Sequence, residues 1–292
     1  MINKNNSTRS KLIARWQEIT ASSKPLRAFA ENFSQVARHA LAESKQLIVE
    51  RQEIYLQRLP REFEKFRVVQ LSDIHHSPFI DAAQIIRLVE VANELEPDLI
   101  VLTGDYVSHE TDYIAPVAEM LGKLRAKHGV YAVLGNHDHW TDASMMTDML
   151  RVEGINVLLN EGFRFAANNS HFWLCGVDDT MVGLDDLKAA MRGSHQDEFK
   201  FLLCHNPAIL RRAERLGIDL IVSGHTHGGQ VRLRPNHENA ILPRNRRASG
   251  LLRRGNTQIY ISRGIGTVVL PVRYKCPPEV SLLELRSSNV DF

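Results

Sequence analysis

The chain has 292 residues, of which 43% are hydrophobic and 24% charged, as expected of a globular protein with a large core. Its net charge is only +2, so the bulk charge does not suggest nucleic-acid binding. It contains three cysteines and no C-x-x-C pair, which argues against a disulfide framework and favours a reducing compartment.

No stretch of the chain approaches the about 18 apolar residues that a membrane-spanning helix needs. The first residues, MINKNNSTRSKLIARWQEIT, have no apolar core and no small-residue cleavage site, so they do not read as a secretory signal. We therefore expect a cytoplasmic protein, either free or peripheral on the cytoplasmic face of the inner membrane.

Residues 1–50 carry eight Lys/Arg against four Asp/Glu, a local charge of +4. Apolar residues recur at three- and four-residue intervals, which predicts a basic, amphipathic helical segment over 8–48 with a helix starting near Pro25. The apolar stripe consists of Leu26, Phe29, Ala30, Phe33, Val36, Ala37, Ala40 and Leu41. Three interpretations stay open: packing on the main domain or a second subunit, insertion into a membrane interface, and a disordered arm.

From residue 51 to residue 292, short apolar runs alternate with helical patterns, which indicates βαβ units and a partly parallel sheet. Strands are predicted at 54–59, 66–72, 98–105, 129–138, 199–207, 219–229 and 257–266, and helices at 85–95 and 117–127. Less helix separates the later strands, so we expect a second sheet. The predicted fold class is α/β, a four-layer α-β-β-α sandwich of two mixed sheets with a metal site at the carboxyl ends of the strands.

Polar residues follow most of these predicted strands where each strand ends. Seven of them offer oxygen or nitrogen donors: Asp73, His75, Asp105, Asn136, His205, His225 and His227. Mixed imidazole and carboxylate ligands suit Mn, Fe or Zn better than Mg or Ca. Seven ligands are too many for one ion with an open position, so they indicate two ions that share one carboxylate.

The order of these residues resembles the calcineurin-like metallophosphoesterase superfamily. Its five blocks, D-x-H, G-D, G-N-H-[DE], H and G-H-x-H, all occur in order between residues 73 and 227. The segments GHTHGGQVRL, SRGIGTVVLPVRY and CPPEVSLLELR resemble a bacterial branch of membrane-associated phosphodiesterases. That branch includes hydrolases of UDP-2,3-diacylglucosamine in lipid A synthesis. Residues 1–50 match no part of the pattern.

The resemblance implies a role for each residue. Asp73, His75 and His227 would hold the first ion, and Asn136, His205 and His225 the second. Asp105 would bridge the two ions. His137 would protonate the leaving oxygen or stabilise the transition state, and Asp138 would orient the His137 imidazole. Both His137 and Asp138 are therefore expected to be catalytic rather than ligands.

The function that follows is hydrolysis of a phosphodiester or pyrophosphate bond by metal-activated hydroxide. A lipid-linked nucleotide such as UDP-2,3-diacylglucosamine is the preferred substrate, and two divalent ions (Mn, Fe or Zn, with Mn preferred) are the expected cofactors. Two alternatives stay open: a general phosphodiesterase or phosphatase of another substrate, and a metal-binding scaffold for protein partners without turnover.

An arginine-rich segment follows the last block, with seven arginines and one acid between Arg232 and Arg254. It is either a solvated loop or a region that attracts a phosphate-rich substrate. Together with residues 1–50 it could contact an anionic membrane surface. Nucleic acid is not an expected partner.

His76, His109 and His139 lie beside motif residues and are expected near the site or on the surface, and Cys204 is expected in the core.

Overall fold

The computed structural model describes residues 24–232 and 249–288. Its helices are α1 (Lys24–Glu43), α2 (Ala82–Glu94), α3 (Ile114–Leu121), α4 (Asn136–Val152), α5 (Leu187–Ala190) and α6 (Leu210–Arg215). Its strands are β1 (Ile48–Leu56), β2 (Phe66–Leu71), β3 (Leu99–Thr103), β4 (Val130–Val133), β5 (Asn156–Val157), β6 (Glu161–Ala167), β7 (Ser170–Gly176), β8 (Lys200–Leu203), β9 (Leu220–Ser223), β10 (Gly250–Arg254), β11 (Thr257–Ile261) and β12 (Glu279–Ser287).

The strands form two mixed sheets of six strands each. The first has the order β1-β12-β2-β3-β4-β5, and β2 to β5 run parallel. The second has the order β10-β11-β9-β8-β7-β6, and the four strands from β11 to β7 run parallel while the two edge strands are antiparallel. Parallel neighbours carry their carboxyl ends to the same edge of a sheet, which is where ligands bind in α/β folds.

Apolar side chains separate the chain into four layers. Along β2, Val68 packs between the two sheets whereas Val69 packs against helices α2 to α4, because successive side chains of a strand point to opposite faces. On the far side of the second sheet, Ala190 of α5 and Ala213 of α6 pack on Leu202 of β8. The predicted α-β-β-α sandwich of two mixed sheets is therefore confirmed.

Helix α1 is tied to the segment that leads into β12. The carbonyl of Ala40 accepts the backbone N–H of Arg273 at 3.0 Å, and the buried Glu43 carboxylate accepts the N–H groups of Lys275 and Cys276. The end of the predicted N-terminal helix thus packs on the main domain. The predicted part before Lys24 lies outside the described residues.

Several predicted boundaries are wrong by a few residues. Helix α1 ends at Glu43 rather than 48, and Ile48 already begins β1, which pairs with β12 at the edge of the first sheet. The division between residues 1–50 and 51–292 thus falls inside this strand. Helix α3 ends at Leu121, before Gly122 and short of the predicted 127. Strand β4 ends at Val133, and Asn136 begins α4, so His137 and Asp138 lie in the first turn of a helix rather than at the end of a strand.

Candidate metal centre

The predicted site residues meet at one edge of the sandwich. Asp73 follows β2, Asp105 follows β3 and His205 follows β8, each two residues after its strand ends. The first turn of α4 and the turn after β9 supply the remaining members. All of them are buried except the half-buried His225: Asp73, His75, Asp105, Asn136, His137, Asp138, His205 and His227.

The first donor group consists of Asp73, His75 and His227. The Nε2 atoms of the two histidines are 3.1 Å apart, and Nε2 of His227 lies 3.4 Å from Oδ1 of Asp73. One donor atom from each residue falls within 4.8 Å of the others. This is the set that the resemblance assigns to the first ion.

The second donor group consists of Asn136, His205 and His225. Nδ1 of His225 lies 3.1 Å from Oδ1 of Asn136 and 3.2 Å from Nε2 of His205. The carbonyl of Thr103 accepts a hydrogen bond from Nδ1 of His205 at 2.7 Å, which leaves Nε2 of His205 directed toward the centre. These three residues are the set assigned to the second ion.

Asp105 lies between the two groups. Its Oδ2 atom is 3.1 Å from Nε2 of His205 and 3.6 Å from Nε2 of His75. Its other oxygen, Oδ1, accepts the backbone N–H of His137 at 2.8 Å. This hydrogen bond fixes the carboxylate so that a single oxygen faces both groups, as a bridging ligand requires.

Burial and mutual charge set the protonation of these groups. Burial lowers the pKa of His75 to about 3, and burial followed by the charge of Arg273 lowers the pKa of His227. Burial alone would also lower the pKa of His205, but the charge and hydrogen bond of Asp105 outweigh it and raise this pKa to about 10. Burial would raise the pKa of Asp105, but His205 outweighs it and lowers this pKa. Asp105 and His205 therefore stabilise each other's charged forms.

The donor set fits a divalent cation. Of the two facing Nε2 atoms of His75 and His227, only one can donate a proton to the other, and burial disfavours a further proton on either ring. Nδ1 of His75 is buried without a hydrogen-bond partner. A cation would accept both Nε2 lone pairs and the carboxylate oxygens at once. The chemistry of the donors therefore supports metal binding and leaves the identity of the metal open.

The backbone at the centre is held in an uncommon conformation. Asp73, His75, Asp105, His225 and His227 have φ values of 52°, 52°, 58°, 68° and 50°, in the left-handed region. Such values are uncommon outside glycine and cost roughly 1–3 kcal/mol each. Gly224 permits the close approach, because a Cβ atom there would overlap Ser72 and the Asp73 carboxylate. Strain concentrated on five of seven predicted ligands is typical of a functional site.

His137 lies beside the first donor group. Its ring centroid is 4.8 Å from that of His75, and its Nδ1 donates to the carbonyl of Ser108 at 2.8 Å. Nε2 is therefore the atom of His137 that is free to exchange a proton. A donor atom of His137 also falls within 4.8 Å of His75 and Asp105, so geometry alone permits ligation. Its assignment as a non-ligand rests on the resemblance.

The predicted role of Asp138 is wrong in the structure. Its carboxylate does not orient the His137 ring, which the carbonyl of Ser108 holds instead. Asp138 accepts backbone N–H groups from Asp105 at 2.8 Å, Tyr106 at 2.8 Å and Gly135 at 2.9 Å. Orphan N–H groups at the start of α4 and after β3 need an acceptor, and Asp138 supplies it. The residue positions the loops that carry the ligands.

Two residues near the centre were assigned no role from the sequence. Arg273 is completely buried and donates to the carbonyls of Gly266, Cys276 and Arg263, and its Nη2 lies 3.5 Å from Nδ1 of His227. Gln230, three residues beyond His227, is buried and bonds to the chain at Val268 and Leu270. The sequence signal was present for both, because each lies in a segment that carries the resemblance.

The three histidines beside motif residues fall around the site. His76 is buried against Tyr113, and its Nδ1 donates to the carbonyl of Ile80. His109 is exposed with its ring 5.0 Å from that of His137, and Nε2 of His139 lies 2.5 Å from Oδ1 of Asp178. None of the three belongs to either donor group. Cys204 is buried in the core, as predicted.

The described arginines of the segment 232–254 have partners within the chain. Arg232 donates to the carbonyl of Gly228 and to Ser249, and Arg253 donates to the carbonyl of Gly255. Arg254 pairs with Glu214 at 2.5 Å. Arg234, Arg244, Arg246 and Arg247 lie outside the described residues.

Comparison with known proteins decides what kind of centre this is. The model of the calcineurin-like phosphoesterase family matches residues 66–229, more than half of the chain. This chain belongs to the calcineurin-like phosphoesterase family. Its membership confirms the resemblance and makes it a metal-dependent phosphoesterase.

Similar proteins carry names of the same family. The uncharacterized metallophosphoesterase YkuE of Bacillus subtilis is 32% identical over 79% of this chain and 82% of its own. Phosphodiesterase YaeI of Escherichia coli is 32% identical over 75% of this chain and 82% of its own. A bovine transmembrane protein with a metallophosphoesterase domain is 33% identical over 81% of this chain, but the match spans only 56% of that protein. In the present chain, no helix of the described residues is both long and apolar enough to cross a membrane.

Proposed function

We propose that the chain hydrolyses a phosphodiester or pyrophosphate bond with two divalent ions, preferably Mn²⁺. The observation that carries this proposal is Oδ2 of Asp105, which faces His75 at 3.6 Å and His205 at 3.1 Å and so links two donor groups. When bound, two ions supply an activated water and stabilise negative charge on the phosphate. A centre that offers only two carboxylates for two divalent ions stays positive and attracts a phosphate anion.

The protein side chains would divide the remaining work. Asp73 and Asp105 would hold the ions' positions, since both carboxylates are fixed by backbone N–H groups, of His225 and His137 respectively. His137 would place a proton on the leaving oxygen from its Nε2 atom, while the Ser108 carbonyl holds its Nδ1–H.

The direct test is turnover of bis-p-nitrophenyl phosphate by the purified chain with Mn²⁺. We expect nitrophenol release that chelation abolishes and that His137→Ala lowers strongly. His171→Ala, an exposed histidine in β7, serves as the matched control. A chain that binds its ions yet releases no nitrophenol, with or without His137, would instead be a metal-binding scaffold for protein partners.

Within this class we propose a lipid-linked nucleotide as substrate, with UDP-2,3-diacylglucosamine as the specific case. The support is the resemblance of GHTHGGQVRL and SRGIGTVVLPVRY to the phosphodiesterase branch that contains such hydrolases. Turnover of UDP-2,3-diacylglucosamine should exceed that of bis-p-nitrophenyl phosphate in kcat/KM by at least about 100-fold. Equal or lower kcat/KM would leave a general phosphodiesterase of another substrate.

We also propose that residues 1–50 hold the protein on an anionic membrane surface. The support is the local charge of +4 and the apolar stripe of the segment. Liposomes with anionic lipid should carry the wild-type chain to the top of a flotation gradient. Reversing the charges of Arg9, Lys11 and Arg15 to glutamate should abolish flotation, whereas the same change at the exposed Arg87, Lys123 and Arg125 should not.

A further inference from the structure

A cleft opens directly beside the metal centre. It encloses about 320 Å³ and includes both His75 and His137 in its lining. Ligand sites in proteins usually measure about 300–1,000 Å³. A phosphate ester with its phosphorus at the centre can therefore place one of its substituents in this cleft.

Three exposed apolar side chains line the cleft. Phe79 forms part of one wall and is 61% exposed, while Val269 and Leu270 on another segment are 89% and 58% exposed. Large apolar side chains that stay open to water side by side usually mark a binding surface. The lining also contains polar residues, with the exposed His109 and Glu110 beside His75 and His137.

The apolar segment is held in place by the turn that carries the last ligands. The side chain of Gln230 donates from Nε2 to the carbonyls of Val268 at 3.1 Å and Leu270 at 2.9 Å, and its Oε1 accepts the N–H of Val268 at 2.9 Å. These three bonds bracket Val269, which has a φ of 66°. A β-branched residue in this region is an outlier that only a surrounding structure maintains. Since Gln230 lies three residues beyond His227, the exposed apolar residues are fixed relative to the metal centre.

We infer that this cleft binds an aliphatic chain of an amphiphilic phosphate ester, with the phosphate at the metal centre and the chain between Phe79 and the Val269–Leu270 tip. An amphiphile would place its charged phosphate at the metal centre and its chain against the three exposed apolar side chains. Branched aliphatic side chains provide area for methylene groups and no hydrogen bonds for a polar substituent. The inference rests on the proposed phosphoesterase function and names the chemistry of its substrate.

The test compares two diesters that differ only in chain length, p-nitrophenyl octyl phosphate and p-nitrophenyl methyl phosphate, below the micelle concentration of the octyl ester. The wild-type chain with Mn²⁺ should favour the octyl ester in kcat/KM by about tenfold or more. The double variant Val269→Ser and Leu270→Ser should bring this ratio close to one. Val152→Ser is the matched control, because Val152 is 74% exposed at the end of α4 and away from the cleft; its ratio should equal that of the wild type.

Binding of octylphosphonate and methylphosphonate, which cannot be hydrolysed, gives a second measurement by calorimetry. Gln230→Met removes all three side-chain bonds and should reduce the preference for octylphosphonate about as much as the double serine variant. Metal content should stay at the wild-type level. A merely structural role of Gln230 would weaken both phosphonates alike and would contradict the positioning role.

The outcomes separate two failures. Wild-type turnover of both esters with equal kcat/KM, or a preference that survives the serine variant, overturns the chain-binding inference alone. Absence of turnover with either ester, in a chain that holds its metals, overturns the proposed function and this inference with it.

Discussion

Nε2 of His75 and Nε2 of His227 face each other at 3.1 Å, although 152 positions separate the two residues along the chain. One ring follows β2 of the first sheet, and the other follows β9 of the second. The sandwich therefore brings its two sheets together at this edge through their polar strand ends. Asp105, which follows β3, lies within reach of both His75 and His205 and joins the halves into one centre.

The two donor groups predict that metal loss is selective. His227→Ala should lower occupancy mainly at the first position and His225→Ala mainly at the second, each leaving about one ion per chain. Asp105→Ala should reduce both, because its Oδ2 faces both groups. Metal analysis after dialysis measures the outcome. Asp148→Ala, an exposed carboxylate on α4, is the control and should keep the wild-type content.

His137 should matter for chemistry and not for metal binding. His137→Ala should lower kcat on bis-p-nitrophenyl phosphate by about 100- to 10,000-fold, the range that a lost general acid produces. Bound metal should remain at the wild-type level. Parallel loss of metal and activity would show instead that His137 is a ligand, which its distance to His75 and Asp105 permits.

Asp138 should act on stability. Asp138→Ala removes the acceptor of three buried backbone N–H groups, those of Asp105, Tyr106 and Gly135, so the free energy of unfolding should fall by about 2–4 kcal/mol. Asp138→Asn keeps one acceptor oxygen and should cost less. Urea unfolding gives both values, and Asp148→Ala should change the free energy by less than about 0.5 kcal/mol. A stable Asp138→Ala variant would refute the positioning role.

The His139–Asp178 pair predicts a pH dependence of stability. The hydrogen bond to Asp178, opposed in part by burial, raises the pKa of His139 above its ordinary value. A raised folded-state pKa stabilises the fold below the unfolded-state pKa of about 6.5, and this contribution disappears as pH rises through the folded-state value. The stability difference between wild type and His139→Gln should therefore be largest near pH 5 and shrink toward pH 9. A difference that grows with pH would contradict the assignment.

The sequence predicts much of this centre because one physical rule connects its parts. Asp73, Asp105 and His205 each follow an apolar strand, and parallel strands bring their ends to one edge. The rule does not predict the two sheets, which follow from the smaller amount of helix between the later strands. It does not predict the β6–β7 hairpin, whose pairing depends on contacts between Phe165 and Phe172 across the strands.

The roles of individual side chains were harder to predict. The sequence predicts that Asp138 holds an imidazole, yet its carboxylate accepts three backbone N–H groups that only the folded loops bring near it. Gln230 donates to the carbonyls of Val268 and Leu270, which lie more than 30 positions further along the chain. Arg273 donates to carbonyls of its own segment, those of Gly266 and Cys276, because this segment folds back on itself. Such contacts depend on the path of irregular loops, and residue spacing gives no information about that path.

The central claim is that two donor groups share Asp105 and bind two ions. The most direct measurement is the number of Mn²⁺ ions that the metal-free chain binds at saturation, determined by equilibrium titration for the wild type and for Asp105→Ala. We predict two ions per wild-type chain and loss of both from the variant. One ion or none in the wild type, or two ions retained without Asp105, would contradict the shared centre.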